Sequence, residues 1–221
     1  MAPMSDPLDA PAATVGFIDL AGFSAITDVY GDISAVGVID RFEVLVKAAI
    51  GDDGHVIKWL GDGAMLLFPD PESALLVMGR LIPACRATPE IPLTRVSLHH
   101  GAVLERRGDY FGATVNTASR ISSLAAPGQL LATQRIADVA AATGISVAPL
   151  GEVSLRSVSG RLPLYSIEIA ASADPDWIDP VCKMLAPFAG FVRQHPEGPW
   201  FCSPACAEAF RKSPETYMAA R

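Results

Sequence analysis

Apolar and polar positions follow two different periods along this chain, and the switches between them mark out its elements. Thr14-Val-Gly-Phe-Ile-Asp-Leu20 is a short, nearly continuous apolar run with an acid near its end, as expected of a buried central strand. From Ile33 to Ile50 the apolar residues Val36, Ile39, Phe42, Val46 and Ala49 recur at helical spacing, which predicts an amphipathic helix closed by Gly51. His55–Trp59 and Ala64–Phe68 read as strands, and the Leu60-Gly-Asp-Gly63 between them predicts a hairpin. Asp70 is placed to cap a second helix running to about Cys85, and Thr94 to Leu104 predicts another strand. A short helix over Val115–Leu124 stops at Ala126-Pro-Gly128. Beyond it come a strand over Gln129–Thr133, a helix over Gln134–Ala142, and strands near Ile145–Ala148, Glu152–Leu155 and Pro163–Ile169.

That order is α+β and predicts a mostly antiparallel, ferredoxin-like sheet with helices on one face. Residues 1–13, rich in Ala, Pro and Asp, are expected to form a disordered leader to a body over 14–170. A polar linker, Ala171-Ser-Ala-Asp-Pro-Asp176, separates that body from a small cysteine-containing α+β module over 177–221.

Composition narrows the function classes. Of 221 residues, 50% are hydrophobic, enough for a core and too many for a disordered chain. Seventeen Lys and Arg against 24 Asp and Glu leave a net charge of −7, so neither nucleic acid nor an anionic membrane is the expected partner. The first 14 residues contain no basic residue and no apolar core of a signal peptide. The most apolar stretch, Ala74–Cys85, is interrupted by Arg80 and Pro83, and the expectation is a soluble, cytoplasmic protein. Four cysteines are too few for a disulfide scaffold. Cys85 stands alone and reads as core, whereas Cys182, Cys202 and Cys206 crowd into the last 40 residues.

Asp19 at the end of a buried strand and Asp62 at a hairpin tip lie 43 residues apart. In a ferredoxin-like sheet the first strand runs beside the hairpin, so the two carboxylates can meet. Taken singly, each equally suits a turn. Asn116 and Arg120, four residues apart, share one face of a helix. His99 and His100 have no acidic or nucleophilic neighbour in sequence and are expected to pack.

Three segments raise the stakes for these residues: Phe17-Ile-Asp-Leu-Ala-Gly-Phe-Ser24, Lys58-Trp-Leu-Gly-Asp-Gly-Ala-Met65 and Asp109-Tyr-Phe-Gly-Ala-Thr-Val-Asn-Thr-Ala-Ser-Arg120. In order and spacing they resemble the class III nucleotidyl cyclase family, over about residues 14–170. The resemblance implies that Asp19 and Asp62 hold two Mg²⁺ or Mn²⁺ ions, with the Ile18 or Leu20 carbonyl as a further ligand. It implies attack of a ribose 3′-hydroxyl on the α-phosphorus with loss of pyrophosphate. Lys58 and Asp109 would read the base: lysine donates to adenine N1 and the carboxylate accepts from the N6 amino group, whereas guanine leaves both unpaired. ATP is therefore the expected substrate, and adenylate cyclase the expected activity. A guanylate or mixed-specificity cyclase, or a silent cyclase fold acting as a nucleotide or metal sensor, are the alternatives. Asn116 would orient the ribose and Arg120 stabilise charge on the phosphate. Arg156 is the nearest match to a further basic phosphate contact, with Arg161 as rival, because Ser157 stands where the family usually has glycine. The resemblance further implies a head-to-tail homodimer with shared sites. Asp19, Lys58 and Asp62 are expected on one wall, and Asp109, Asn116 and Arg120 on the other.

The tail carries its own pattern. Asp179-Pro-Val-Cys-Lys-Met184, Trp200-Phe-Cys-Ser-Pro-Ala-Cys206, Phe210 and Pro214-Glu-Thr-Tyr217 resemble a YHS domain, a relative of TRASH-type metal modules, with Lys183 in place of the commoner glycine. Cys182, Cys202 and Cys206 would suit Zn²⁺ or Cu⁺, with His195 or Met184 as fourth ligand. The alternative is a small module packed around Trp200, Phe201, Phe210 and Tyr217 whose cysteines bind nothing. At about 45 residues it needs a metal or a docking surface to hold its fold. Its expected role is to report metal or thiol redox state to the cyclase body.

Overall fold

The structure, a computed structural model, describes residues 11–156, 160–171, 173–185, 191–193 and 195–218. Its centre is a seven-stranded sheet ordered β2 (His55–Trp59), β3 (Gly63–Phe68), β1 (Ala12–Leu20), β4 (Thr94–Ala102), β7 (Leu130–Thr133), β9 (Arg161–Glu168) and β8 (Ser146–Ser154). Only β4 and β7 pair in parallel, so the sheet is mostly antiparallel as the element order predicts. β1 pairs with β4 from Ala12 onward, so the leader expected over 1–13 gives way to strand before residue 13; residues 1–10 lie outside the described part. The two short strands expected at 145–148 and 152–155 are one strand, because a bulge between Pro149 and Gly151 carries the pairing past the proline. A small hairpin, β5 (Leu104–Arg106) and β6 (Asp109–Phe111), lies outside the main sheet and was not predicted; Arg107-Gly108 turns it, both at positive φ.

Alternation along the strands assigns two faces. Ile18 and Leu20 of β1 and Ala64, Leu66 and Phe68 of β3 join the main core, against α1 (Phe23–Ile50), α2 (Pro71–Ala87) and α4 (Gln134–Ala142). Ala13, Val15, Met65 and Leu67 point the other way, onto Ala118 of α3 (Ala113–Ser122). The expectation of helices on one face therefore fails for α3: Thr114, Thr117, Ala118 and Ile121 form a narrow apolar stripe that covers the second face.

α1 begins ten residues before the predicted helix and breaks at Gly31, whose φ of 79° and ψ of 166° leave the helical region. Its buried stripe is Ala35, Val38, Phe42, Val46 and Ala49, while Val36 is 54% exposed. The helix is turned so that the smaller Ala35, not Val36, enters the core. Asp70 caps α2 as predicted, accepting the Ser73 N–H at 2.7 Å.

The tail forms a short turn at Pro175–Trp177, the strand pair β10 (Val192–Arg193) and β11 (Trp200–Phe201), and the helices α5 (Pro204–Lys212) and α6 (Pro214–Met218). It docks on the body: Val181, Cys182, Met184, Phe201, Cys206 and Ala207 belong to the same apolar cluster as the main core. The Leu93 N–H donates to the Lys183 carbonyl at 3.0 Å. A side chain at Gly22 would lie 2.9 Å from Lys183 Cγ and 3.1 Å from the Val181 carbonyl. Body and tail touch closely enough that only glycine fits there.

Candidate active site and thiol cluster

Strand register brings the acids together. Asp19 pairs with Gly63 on one side and Arg95 on the other, and the Leu20 N–H donates to the Asp62 carbonyl at 3.2 Å. A Cβ at Gly63 would stand 2.7 Å from the Ile18 carbonyl, so glycine lets the hairpin close onto β1. The result is a cavity of about 380 Å³ lined by Asp19, Arg95, Ser119 and Ser122 among others. Asp19 is one-third exposed, yet its Oδ1 is buried and has no hydrogen-bond partner among the described residues. Burial, opposed by Arg95 and reinforced by Asp62, pushes its pKa from 3.8 to about 6. Burial raises Asp62 as well. Arg95 Nη1 is 3.8 Å from Asp19, a loose pair that leaves the carboxylate under-neutralised. An orphaned Asp19 carboxylate oxygen with a second acid, Asp62, nearby is the donor set that a hard divalent cation fits. The sequence reading missed Arg95; its signal was the one arginine within the strand expected over Thr94 to Leu104.

Lys58 and Asp109 meet across β2 and β6. Lys58 Nζ donates to both carboxylate oxygens of Asp109, at 2.8 and 2.7 Å. That hydrogen bond and the Tyr110 N–H hold Asp109 below the usual carboxylate range. Lys58, expected beside Asp19 and Asp62 and apart from Asp109, is thus paired with Asp109 of its own chain. The bulge between Val56 and Lys58 shifts the pairing of β2 with β3, and β6 lies beside the strand where Lys58 emerges.

Asn116 and Arg120 share the exposed face of α3, as their spacing predicts. Ser119, Ser122 and Ser123 line the cavity at Asp19; Asn116 and Arg120 do not. Arg161 is tied to Glu152 through its side chain, at 3.4 Å, and its backbone carbonyl, at 3.1 Å. Arg156 is exposed just after β8, at the sheet edge opposite β2, and Ser157 lies outside the described residues. His99 and His100 pack as expected, bonded to Thr133 at 2.8 Å and Thr14 at 3.0 Å. Burial lowers the His99 pKa to about 4 and keeps that ring neutral at physiological pH. Cys85 is core, its thiol pushed up to about 12 by burial.

In the tail, Cys182, Cys202 and Cys206 converge, with Sγ separations of 3.4 Å for Cys182–Cys202 and 3.5 Å for Cys202–Cys206. The fourth member of the cluster is Asp179; His195, proposed as a fourth ligand, is exposed and not among the clustered groups. Met184 is buried. Tyr30 reaches the cluster from α1, with Oη 3.0 Å from Cys202 Sγ and 3.2 Å from Cys206 Sγ. Asp179 and Tyr30 were both missed. The acid three residues before Cys182 was a local signal, whereas nothing local links Tyr30 to a cysteine 172 residues away.

Residues 88–169 match the family model of the adenylate and guanylate cyclase catalytic domain. An uncharacterized protein of Mycobacterium tuberculosis is 34% identical over 128 residues, covering 57% of this chain and 33% of that protein. A pH-sensitive adenylate cyclase of the same organism is 29% identical over 167 residues, covering 74% of this chain and 42% of the relative. This chain thus spans less than half the length of these relatives. Among solved structures, an adenylate cyclase from Trypanosoma brucei in its monomeric state superposes with a TM-score of 0.66 at 22% identity, covering 78% of this chain and 93% of that one. The mixed α+β fold is therefore that of class III cyclase structures.

Proposed function

We propose that this chain is an adenylate cyclase, converting ATP to 3′,5′-cyclic AMP and pyrophosphate at sites shared by a head-to-tail homodimer. The observation that carries the reading is the half-buried approach of Asp19 and Asp62, with one buried Asp19 carboxylate oxygen unpartnered among the described residues, at the point where two of the three motifs converge. Mg²⁺ or Mn²⁺ held by Asp19 and Asp62 would supply charge neutralisation for the triphosphate and a lower pKa for the 3′-hydroxyl. Arg95, beside Asp19, adds a fixed positive charge for phosphate oxygens.

The remaining work falls to the other wall. Lys58 and Asp109 must exchange their mutual ion pair for adenine, lysine donating to N1 and aspartate accepting from N6. Their bidentate pairing keeps both heads at one spot before substrate arrives, and guanine offers neither contact its partner. Asn116 and Arg120, exposed on α3, are free to meet groups of a partner, as the dimer requires. In that arrangement one protomer supplies Asp19 and Asp62, and the partner supplies its base-reading pair, asparagine and arginine. Arg120 stabilises charge developing on the α-phosphate, and Arg156, with Arg161 already engaged by Glu152, is the additional phosphate contact. The thiol-bearing tail acts as the regulatory part, docked against Gly22, three residues after Asp19.

Purified protein with Mn²⁺ and either ATP or GTP tests this directly. Cyclic AMP and pyrophosphate in equal amounts, with ATP preferred, is the expected result. Cyclic GMP as main product would overturn the base assignment, and no cyclic product from a folded dimer would overturn the enzymatic reading.

A further inference from the structure

We infer that Asp179, Cys182, Cys202 and Cys206 form one site for a zinc-class divalent cation, and that Tyr30 of the body donates its single O–H to one of the site's sulfurs, Cys202 or Cys206, so that the bound ion fastens the tail to α1. The four ligand atoms all lie within 4.8 Å of one another. Around a tetrahedral ion with Zn–S of about 2.3 Å, neighbouring sulfurs stand about 3.8 Å apart. The two measured separations, 3.4 and 3.5 Å, are within a few tenths of that edge. Asp179 Oδ1 accepts the Val181 and Cys182 N–H groups at 2.7 and 3.3 Å, and Oδ2 accepts that of Cys202, at 2.6 Å. A carboxylate has about four acceptor positions, so one remains for a cation while three backbone groups lock its orientation.

The donor set selects the ion. Three thiolates exclude Mg²⁺ and Ca²⁺, which take oxygen ligands. A carboxylate is a poor partner for Cu⁺, whereas Zn²⁺ accepts sulfur and carboxylate oxygen together. Asp179, Cys182 and Cys206 are buried and Cys202 is half-buried, so the site resembles a closed structural centre more than an open catalytic one.

Tyr30 makes the site a joint. A phenol keeps its proton at neutral pH, so Oη can donate to a coordinating sulfur while it also bonds Ser203 Oγ at 2.5 Å. Tyr30 is the last residue before the break at Gly31, and the helical segment it ends starts at Phe23, four residues after Asp19. A cation in the tail therefore restrains the helical segment that follows the Asp19 strand, and the break at Gly31 separates that segment from the rest of α1.

The test uses the full-length, reduced and demetallated chain, titrated with Co²⁺ and then Zn²⁺. One equivalent of Co²⁺ should give a thiolate-to-cobalt charge-transfer band and strong tetrahedral d–d bands, and one equivalent of Zn²⁺ should abolish both. An ion at Asp19 and Asp62 has no thiolate ligand and contributes nothing to the charge-transfer band. Asp179→Asn should alter the d–d bands and weaken Zn²⁺ binding at least tenfold. Tyr30→Phe should keep the stoichiometry and the d–d bands but bind Zn²⁺ about 10–100-fold more weakly. Absence of the charge-transfer band with all thiols reduced would overturn the site. Parental affinity and spectrum in a folded Asp179→Asn would remove the carboxylate, and parental affinity in Tyr30→Phe would remove the joint. No nucleotide is involved, so these outcomes are independent of the reaction at the acid pair.

Discussion

Replacing Asp19 by asparagine should stabilise the metal-free protein while destroying its activity. The carboxylate is held in a site that raises its pKa from 3.8 to about 6, the attraction of Arg95 already included. At about 1.4 kcal/mol per tenfold change in proton affinity, keeping it ionised at pH 8 costs about 3 kcal/mol gross. A third of the side chain reaches solvent, which screens the charge and brings the figure to about 1–2 kcal/mol. Asparagine has the same shape and no charge, so in EDTA at pH 8 its Tm should exceed the parent's by about 3–6 °C. A carboxylate with a raised folded pKa binds protons more tightly in the folded than in the unfolded state. Parent stability from this group therefore falls as pH rises from 3.8 through 6, and the advantage of asparagine disappears on acidification below 3.8. Mn²⁺ should raise the parent's Tm and leave Asp19→Asn nearly unchanged, because the cation removes the same penalty. Thermal unfolding across pH 3.5–8, with EDTA or Mn²⁺, measures all of this. Equal Tm values at pH 8 in EDTA, or an equal response to Mn²⁺, would refute the argument that burial prepares Asp19 for a cation.

Other perturbations probe the remaining parts of the site. Asp19→Ala and Arg120→Ala should each be almost inactive, while an equimolar mixture that exchanges subunits should recover about a quarter of parental cyclic AMP production, since half the dimers then carry one intact site; a mixture as inactive as its parts rules out the shared site. Lys58→Ala should lower kcat/KM for ATP about 10–100-fold, in line with a lost charge-assisted hydrogen bond of about 1.5–3 kcal/mol, and should narrow the preference over GTP. An unchanged ATP-to-GTP ratio would remove Lys58 from base reading. Gly63→Ala places a methyl group 2.7 Å from the Ile18 carbonyl and 3.1 Å from Asp19 Cβ. It should cost about 1–3 kcal/mol in denaturant melts and most of the activity, by pushing the Asp62 turn away from β1; parental values for both would mean that the close approach is unimportant.

Much of the fold was legible because its signals are local. The hairpin over β2 and β3 is written in Gly61-Asp62-Gly63 between two apolar runs, and the start of α2 in Asp70 followed by Pro71. Errors arose where a local signal was overridden. α1 extends back to Phe23 through β-branched and aromatic residues of modest helix propensity, held by packing against sheet and tail. α3 covers the second face because alternation along β1 and β3 leaves Val15, Met65 and Leu67 to be buried there, a demand that α3's own residues do not announce.

The site divides along the same line. The identities of the candidate site groups were determined by the sequence alone: two acids, a lysine and aspartate, an asparagine and arginine one helical turn apart, and three late cysteines. Which of them meet was decided by tertiary structure. Arg95 faces Asp19 because β4 pairs with β1 in one register, and a slip of one residue would carry it to the other face of the sheet. Lys58 joins Asp109 because β6 folds back beside β2, and Tyr30 meets Cys202 across 172 residues because the tail docks on α1. Side-chain chemistry and local backbone preference are properties of neighbouring residues and can be read in order. Register and docking come from burying distant apolar surfaces together, and only the folded chain holds that information in one place.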